Sequence, residues 1–480
     1  MALLGKNWRW PLPTPSRRQR GQALLYGLFV LVSGLAALFF LFNTGQLVRE
    51  KTKLVNASDA VAYSAGVMHA RLLNFDAYTN RAMIANTVAV AQLVSLSSWV
   101  QYIDKLAGFG EASLNPKFIE FAPSYFAALA VGPTAKELLV DTGALGDLAS
   151  GSDLIIRHAL MNAQLVANEG IGTAREQVMD EVAQANYRDE GSVSVDPIRG
   201  EELSAFVAKY SGEQRTRFAE IAMTSANRDQ FVPKRSWILP GLWSDCPSAT
   251  ATGRIDWLNR SGGTDLIGFD EWKAMDTLSE KRWVPKSKQD VLCQGLSELP
   301  DGWGSQSAAD KPSYDMAPTR YGGSVAINPG SSALAQITSS ASWAYSGLPS
   351  FYELSGDALK QDAPRFRFAV RLLRNKDQTT TSEGRSVVSP GRRLNAYQAA
   401  FAGGTALVAV SASEVYFQRP DRDDSCSDGI KMGRDNCYGR AASGKADELA
   451  SLFNPYWQVH LIQSDEAIRQ AQDEQGAVLP

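Results

Sequence analysis

The first part of the chain holds one long apolar run without a charged side chain. The uncharged stretch extends from Gly21 to Val48, and its most apolar part runs from Ala23 to Phe42. A helix of about 20 apolar residues is long enough to cross the hydrocarbon core of a bilayer. The pattern therefore predicts a basic leader at residues 1–22 and one membrane span at 23–43.

Two processing events compete with an uncleaved anchor. A secretory signal has an apolar region of about 7 to 15 residues followed by a small-residue cleavage site, whereas this run is longer and ends in bulky Leu and Phe residues. The basic leader ending at Gly21 is of the prepilin kind, but Tyr26 stands where prepilins usually carry Glu. We therefore expect the leader to be retained.

A helical pattern continues beyond the span, because no proline occurs between Pro15 and Pro116. Apolar residues recur there at every seventh position and form a narrow seam: Leu47, Leu54, Val61, Met68 and Phe75. The seam predicts a membrane-proximal helical stalk over residues 44–110. It would pack either on later helices of this chain or against a partner. A second apolar stretch, 83–106, is too rich in Ser and Gln for a second span.

The rest of the chain divides into a helical and a β-containing part. Prolines and small-residue turns break residues 111–230 into helices, the longest predicted at 153–187 and 201–227. Residues 231–330 are rich in Pro, Gly and Ser and read as loops. Alternating or β-rich segments predict late strands at 365–372, 407–417 and 456–462. The expected fold is α+β, with residues 231–480 forming the outer domain.

Tryptophans are concentrated in the predicted loop-rich segment. They could line a sugar-binding platform or fill a core that is poor in regular structure. The six are Trp237, Trp243, Trp257, Trp272, Trp283 and Trp303.

The overall charge and the residue types argue against several classes of function. Forty-eight Lys and Arg against 51 Asp and Glu give a net charge of −3, too balanced for a nucleic-acid-binding face. Three histidines and four cysteines, without a C-x-x-C pair, do not suggest a metal site. We expect no cofactor, no small-molecule substrate and no nucleic acid, with the lipid bilayer contacted through one span.

Catalytic patterns are also missing from the sequence. The segment 439–446 has the glycines and lysine of a phosphate-binding loop but ends in Ala446, which lacks the hydroxyl that would hold Mg²⁺. Residues 423–427 have the D-x-S-x-S pattern of a known metal-binding motif. In that motif an apolar strand leads directly into the first Asp, and no such strand precedes Asp423 here. We therefore predict no catalytic residue and no enzymatic activity.

The basic residues beside the span indicate its orientation. Those before it have no acidic residue among them, whereas those after it alternate with Glu50. The excess of basic residues at the N-terminal side predicts a cytoplasmic N-terminus, with residues 44–480 outside the cytoplasm. The two sets are Lys6, Arg9, Arg17, Arg18 and Arg20 before the span, and Arg49, Lys51 and Lys53 after it.

The segment that follows the span resembles a known family. The order of basic cluster, apolar helix and Ala-rich segment is similar to the N-terminal region of TadE/TadG-like Flp pilus-assembly proteins, through Ala57, Asp59, Ala60 and Ala62. The resemblance implies a single-pass inner-membrane protein with a large periplasmic domain and no enzymatic activity. Its partners would be other pilus-assembly membrane proteins or pilins. A pilus-associated adhesin or a minor pseudopilin is the alternative, and a periplasmic enzyme ranks last.

This topology predicts that the four cysteines form disulfides, because extracytoplasmic cysteines are expected to pair. Cys426 and Cys437 enclose a short polar loop, which favours a local disulfide and leaves Cys246 to Cys293. Spacing alone still allows three different pairings.

Overall fold

The computed structural model describes most of the chain between the apolar run and the last strand. The described residues are 22–109, 115–188, 190–198, 202–312, 326–338, 341–375, 397–399, 405–418, 449–463, 465 and 468–469. Within them the fold is α+β, as predicted from the sequence.

The chain is organised around a single helix, α1, which comprises 88 residues from Gln22 to Phe109. At 1.5 Å per residue, its length is about 130 Å. Every residue from Ala23 to Phe42 is exposed, whereas burial begins at Asn43, whose exposed fraction is 3%. The predicted stalk is thus helical over its described length, but the rest of the chain packs along it.

A second helical layer runs antiparallel to α1. Lys53 Nζ donates to Glu190 Oε2 at 2.6 Å, near the start of α1. Near the other end, a Cβ on Gly132 would lie 2.8 Å from the Ile103 carbonyl oxygen. The layer consists of a 3₁₀ turn Pro116–Phe121, α2 Ala122–Ala135, a π-helical turn Lys136–Asp141, α3 Ala144–Leu154, a second π-helical turn Ile155–Met161 and α4 Asn162–Asn186.

A five-stranded antiparallel sheet packs on α1 from about Leu47 to Asn74, and we name it the proximal sheet. Its strand order is β1-β8-β10-β11, with β9 also paired to β10. The three late strands predicted from alternation or β-rich composition are β8, β10 and β11. The bounds are β1 Ser194–Ile198, β8 Arg365–Asn375, β9 Tyr397–Ala399, β10 Thr405–Phe417 and β11 Trp457–Ile462.

A four-stranded antiparallel meander, the distal sheet, packs on the second half of α1. The prediction of loops at 231–330 is wrong, because all four strands of this sheet lie there. The longer strands were missed because β4 and β6 are rich in Gly and Ser, β5 carries many charged residues, and none of the three has a regular apolar alternation. They are β3 Trp237–Pro240, β4 Trp257–Ile267, β5 Glu271–Val284 and β6 Gly295–Ala308.

The polar composition of the distal sheet matches the polar second half of α1. Ser95 Oγ lies 2.5 Å from Thr264 Oγ1, and Ser98 Oγ donates to Asp276 Oδ2 at 2.6 Å. A Cβ on Gly304 would lie 2.3 Å from the Ser98 carbonyl oxygen. The Ser-rich stretch that looked too polar for a membrane is therefore buried against strands of similar composition.

The remaining elements are short. Strands β2 Val207–Tyr210 and β7 Phe351–Leu354 form a two-stranded antiparallel pair. The helix predicted at 201–227 is wrong in its middle, where β2 separates a short helix at Leu203–Phe206 from a longer one at Thr216–Ala226. The short helices are α5 Leu203–Phe206, α6 Thr216–Ala226, α7 Pro247–Ala251, α8 Pro329–Ile337 and α9 Gly356–Leu359. Domain boundaries near 110 and 230 stay a prediction.

Candidate interaction surfaces

The proximal sheet packs on the Ala-rich segment of α1, which we name the seat of the proximal sheet. Ala57 and Ala62 are fully buried in the apolar core shared with β8 and β10. A Cβ on Gly66 would lie 2.5 Å from Val459 Cγ2 and 2.7 Å from Ser413 Oγ. Small side chains are needed here because they allow the sheet to approach the helix backbone closely.

Asp59 and Ala60 occupy the rim of this seat, where both are half-buried. Ser411 Oγ on β10 donates to Asp59 Oδ1 at 2.5 Å, and the same hydroxyl lies 2.6 Å from Ser58 Oγ. The polar positions of the segment therefore hold β10 in register on α1, and this segment makes intramolecular contacts.

The heptad seam does not form a single surface. Leu54 and Val61 are fully buried under the proximal sheet, and Leu47 packs against the same core. Met68 and Phe75 instead face the second helical layer. A straight helix drifts by about 20° per heptad, so over four heptads the seam turns from the sheet toward α4.

An open apolar groove lies between α1 and α4, and we name it the helix groove. Its volume is about 350 Å³, and Arg71 is among the residues that line it. Val166 is 69% exposed in it, and nothing lies within 4 Å of the Cβ position of Gly170. The groove is lined by Met68, Leu72 and Phe75 of α1 and by Val166, Ala167, Gly170, Ile171 and Ala174 of α4.

The α4 half of the groove was not recognised from the sequence. Ala, Gly and Ile at these spacings are common on helices that pack in a core, and only the antiparallel register of α4 on α1 places them at the surface. The one feature of the sequence that could have indicated the groove is the unusual pair of glycines, Gly170 and Gly172, inside a helical pattern.

Polar side chains are buried between the two helices beside the groove. Asp76 is fully buried, and Asn168 Nδ2 donates to both of its carboxylate oxygens at 3.1 Å. Gln164 Nε2 donates to Thr79 Oγ1 at 2.6 Å. Burial raises the pKa of Asp76 to about 7, although the hydrogen bond from Asn168 favours the carboxylate.

The three histidines are far apart in the sequence and lie in different environments. His69 is fully buried, and its ring meets those of Phe366 and Phe368 at centroid distances of 4.8 and 5.4 Å. Burial, together with the nearby Arg175 guanidinium, lowers the pKa of His69 to about 3. His158 is exposed on the second layer, and His460 lies 3.6 Å from Glu414.

A buried lysine joins the second helical layer to the distal sheet. Lys117 Nζ contacts Asp245 Oδ2 at 2.7 Å, Asp256 Oδ2 at 2.9 Å and a carboxylate oxygen of Glu280. The three carboxylate oxygens lie within 4.8 Å of one another, close enough to hold a cation. The lysine ammonium supplies that positive charge. Burial disfavours the ammonium, but the three hydrogen bonds outweigh it and raise the pKa of Lys117.

A disulfide joins Cys246 to Cys293 beside this cluster, with a Cα–Cα distance of 6.5 Å. It is one of the two pairs expected from the sequence. Cys426 and Cys437 lie outside the described residues, as do the two incomplete motifs at 423–427 and 439–446.

The tryptophans of the distal sheet do not form one platform. Trp272 is fully buried and Trp303 is 7% exposed, so both fill cores. Trp257 and Trp283 are half-buried, with ring centroids 6.2 Å apart. Trp237 and Trp243 are 40% and 38% exposed.

Comparison with known families gives a match to the first part of the chain. Residues 21–70 match the model of the putative Flp pilus-assembly TadE/G-like family. The match begins one residue before α1 and includes the exposed apolar run and the seat of the proximal sheet. It confirms the resemblance seen in the sequence. No curated protein and no solved structure matches the chain.

Proposed function

We propose that this protein is a membrane-anchored assembly protein of the Tad-type (Flp) pilus, which acts by contacting other pilus proteins in the cell envelope and has no enzymatic activity. The observation that carries the proposal is the family match over residues 21–70.

The exposed start of α1 supports the anchor. The 18-residue window that defines the candidate span is 0% buried in the folded chain. A continuous apolar helix surface of this size is unfavourable in water and is favourable in hydrocarbon. Because α1 continues without a break into the folded body, the body would stand directly on the membrane.

The charge distribution and the disulfide support a cytoplasmic N-terminus and a periplasmic body at the inner membrane. The leader has an excess of basic residues, which favours the cytoplasmic side. After the span, Lys51 Nζ donates to the Val408 carbonyl, and Lys53 pairs with Glu190. These two lysines therefore have structural contacts in the body. Disulfides such as Cys246–Cys293 persist in oxidising compartments.

The helix groove is the surface that we assign to partner contact. It runs along α1, which is continuous with the span, so a helix from a partner anchored in the same membrane could lie along it. Small residues such as Ala167 and Gly170 allow close approach of a second helix.

Deletion of the gene and complementation test the proposal. Piliation should be lost on deletion and restored by the full chain. A chain with Val166→Glu, which puts a charge into the groove, should restore few pili. Leu148→Glu is the matched control, since Leu148 is 60% exposed on the same layer and does not line the groove.

Other outcomes would distinguish the alternatives. Normal pili that fail to adhere to surfaces would indicate an adhesin, and Gln22 as the mature N-terminus would indicate a processed pseudopilin. Unchanged piliation after deletion would contradict the proposal. A reporter that is active only outside the cytoplasm, fused after Pro480, should be active if the orientation is right.

A further inference from the structure

Strand β3 forms an open edge of the distal sheet. The strand order is β3-β4-β5-β6, so β4 pairs with only one side of β3. Among the residues that the structure describes, no strand pairs with its other side. Ile238, in the middle of the strand, is 65% exposed.

The backbone of β3 presents hydrogen-bonding groups on this open side. Arg235 N donates to the Gly262 carbonyl at 2.8 Å, and Gly241 N donates to the Asp256 carbonyl at 2.7 Å. The backbone N–H and C=O groups of the odd-numbered residues therefore point toward β4. In an antiparallel pair the intervening residues face away. The N–H and C=O of Ile238 therefore point to the open edge, while Pro240 has no N–H to offer.

Large apolar side chains flank the edge. Trp237 is 40% exposed, and its ring lies 5.5 Å from that of Phe121. Leu242 and Trp243, just after the strand, are 62% and 38% exposed. Soluble proteins usually protect such edges with charges or prolines. Here the proline protects one end only, and an apolar surface remains beside the open backbone.

The edge is held rigidly. Leu242 N donates to the Lys117 carbonyl at 2.9 Å, which links the chain after β3 to the buried lysine cluster. A Cβ on Gly241 would lie 2.9 Å from the Asp256 carbonyl oxygen, so the backbones are in close contact there. The Cys246–Cys293 disulfide fixes the following turn. A rigid edge loses little conformational freedom when a partner binds.

We propose that β3 captures an extended segment of a partner protein by strand addition. The occupant follows from the open backbone edge, because a strand satisfies its N–H and C=O groups and a helix does not. Apolar side chains in the added strand would contact Trp237 and Ile238. The exposed Lys234, just before β3, favours an acidic residue at that end of the occupant. This inference holds whether or not the pilus function is correct.

Within the part of the chain that the structure describes, the edge lies near the end of α1 that is farthest from the span. Leu239 of β3 packs against the apolar cluster that contains Tyr102 and Leu106 of α1. Residue 102 is about 90 Å along the helix from residue 42. Strand capture would therefore occur far from the membrane, whereas the helix groove lies nearer to it.

Ile238→Pro is the variant that separates edge binding from folding. It removes the outward N–H of residue 238, which no strand pairing within the distal sheet uses, and proline is tolerated on edge strands. Ile238→Val keeps the N–H and is the matched control. Leu239→Pro should unfold the distal sheet, because the N–H of residue 239 faces β4.

The test uses the full chain in detergent micelles. The probe is a labelled peptide of alternating valine and threonine with two aspartates at each end, so that either strand direction places an aspartate near Lys234. Fluorescence anisotropy should show binding to the wild type, weakened about tenfold by Ile238→Pro, as expected for the loss of an intermolecular hydrogen bond at a desolvated edge. Ile238→Val should bind like the wild type. The peptide should also slow hydrogen exchange of the Ile238 amide in the wild type, a result that needs no variant.

Three results obtained with the peptide would overturn the proposal. They are the absence of peptide binding, equal binding by a folded Ile238→Pro chain, and peptide binding without protection of the Ile238 amide. Protection that appears without peptide and rises with protein concentration would show a second copy of this chain at the edge, which also contradicts capture of a different protein.

Discussion

Among the residues that the structure describes, no positively charged side chain donates a hydrogen bond to the buried carboxylate of Asp76. The protonation state of Asp76 therefore affects the stability of the fold. Its two oxygens accept from Asn168, and the other nearby acid is Glu353, whose pKa burial also raises. The folded pKa of Asp76 is about 7, against an ordinary value of 3.8. The folded state therefore binds more protons than the unfolded state between these values.

Stability should accordingly fall as pH rises from about 4 to about 7 and then level off, as far as Asp76 determines it. Asp76→Asn keeps the shape of the protonated acid and removes the charge. At pH 8 the variant should be more stable than the wild type by on the order of 2 to 4 kcal/mol, and the difference should shrink toward pH 4. Urea unfolding of the body measures this.

The exposed Asp357, whose side chain is 93% accessible, supplies the control Asp357→Asn. A difference between Asp76→Asn and the wild type that does not change with pH would contradict the assignment.

Lys117 presents the opposite situation, a buried cation surrounded by carboxylates. Lys117→Met removes the cation and leaves buried carboxylates uncompensated, so the variant should lose about 3 to 5 kcal/mol of stability. The matched control is Lys136→Met, because Lys136 pairs with Asp141 at the surface at 2.8 Å. The control should lose no more than about 1 kcal/mol. Equal losses in thermal unfolding would contradict a central role for Lys117.

The smaller variant Lys117→Ala gives an independent check. It leaves three carboxylate oxygens within 4.8 Å of one another without the ammonium. Calcium prefers such oxygen ligands, so adding calcium should raise the unfolding temperature of Lys117→Ala more than that of the wild type.

At the scale of elements, glycines at two helix positions have opposite roles. Gly66 of α1 lies against the proximal sheet, where a Cβ would meet Val459 and Ser413. Gly170 of α4 faces open space in the helix groove. The same change to alanine improves helix propensity at both positions by about 1 kcal/mol, but only at Gly66 does it also push two elements apart.

We therefore expect Gly66→Ala to destabilise the body by about 1 to 3 kcal/mol and Gly170→Ala to stabilise it slightly. Chemical unfolding of the two variants side by side measures the difference. If Gly66→Ala is as stable as Gly170→Ala, the close seating of the proximal sheet on α1 is incorrect.

The sequence was informative wherever periodicity was strong. The missing prolines marked α1, and alternation or β-rich composition marked β8, β10 and β11. It misled where burial is polar, because β4 to β6 pack partly against Ser and Gln side chains of α1 and so lack a regular apolar alternation. The seam residues Met68 and Phe75 were recognised, but the groove they line also needs α4, whose register on α1 is a tertiary property.

At the scale of the whole molecule, the two proposed contact surfaces lie at different heights along one helix. The helix groove is centred near residue 72 of α1, and the β3 edge lies beside residue 102. The two positions are about 45 Å apart along the axis. A partner in the membrane and a partner farther out could therefore be held at the same time without competing for space.

Because α1 is continuous, a tilt of the membrane span would be transmitted along the helix to the outer end of the protein. In the proposed anchored state, no flexible linker separates the span from the body, since one helix runs from Gln22 to Phe109. Membrane helices change their tilt when bilayer thickness changes. A tilt of about 10° over the roughly 90 Å between the membrane and β3 would move that strand sideways by about 16 Å. Small changes in the bilayer would thus be amplified at the outer end of the molecule.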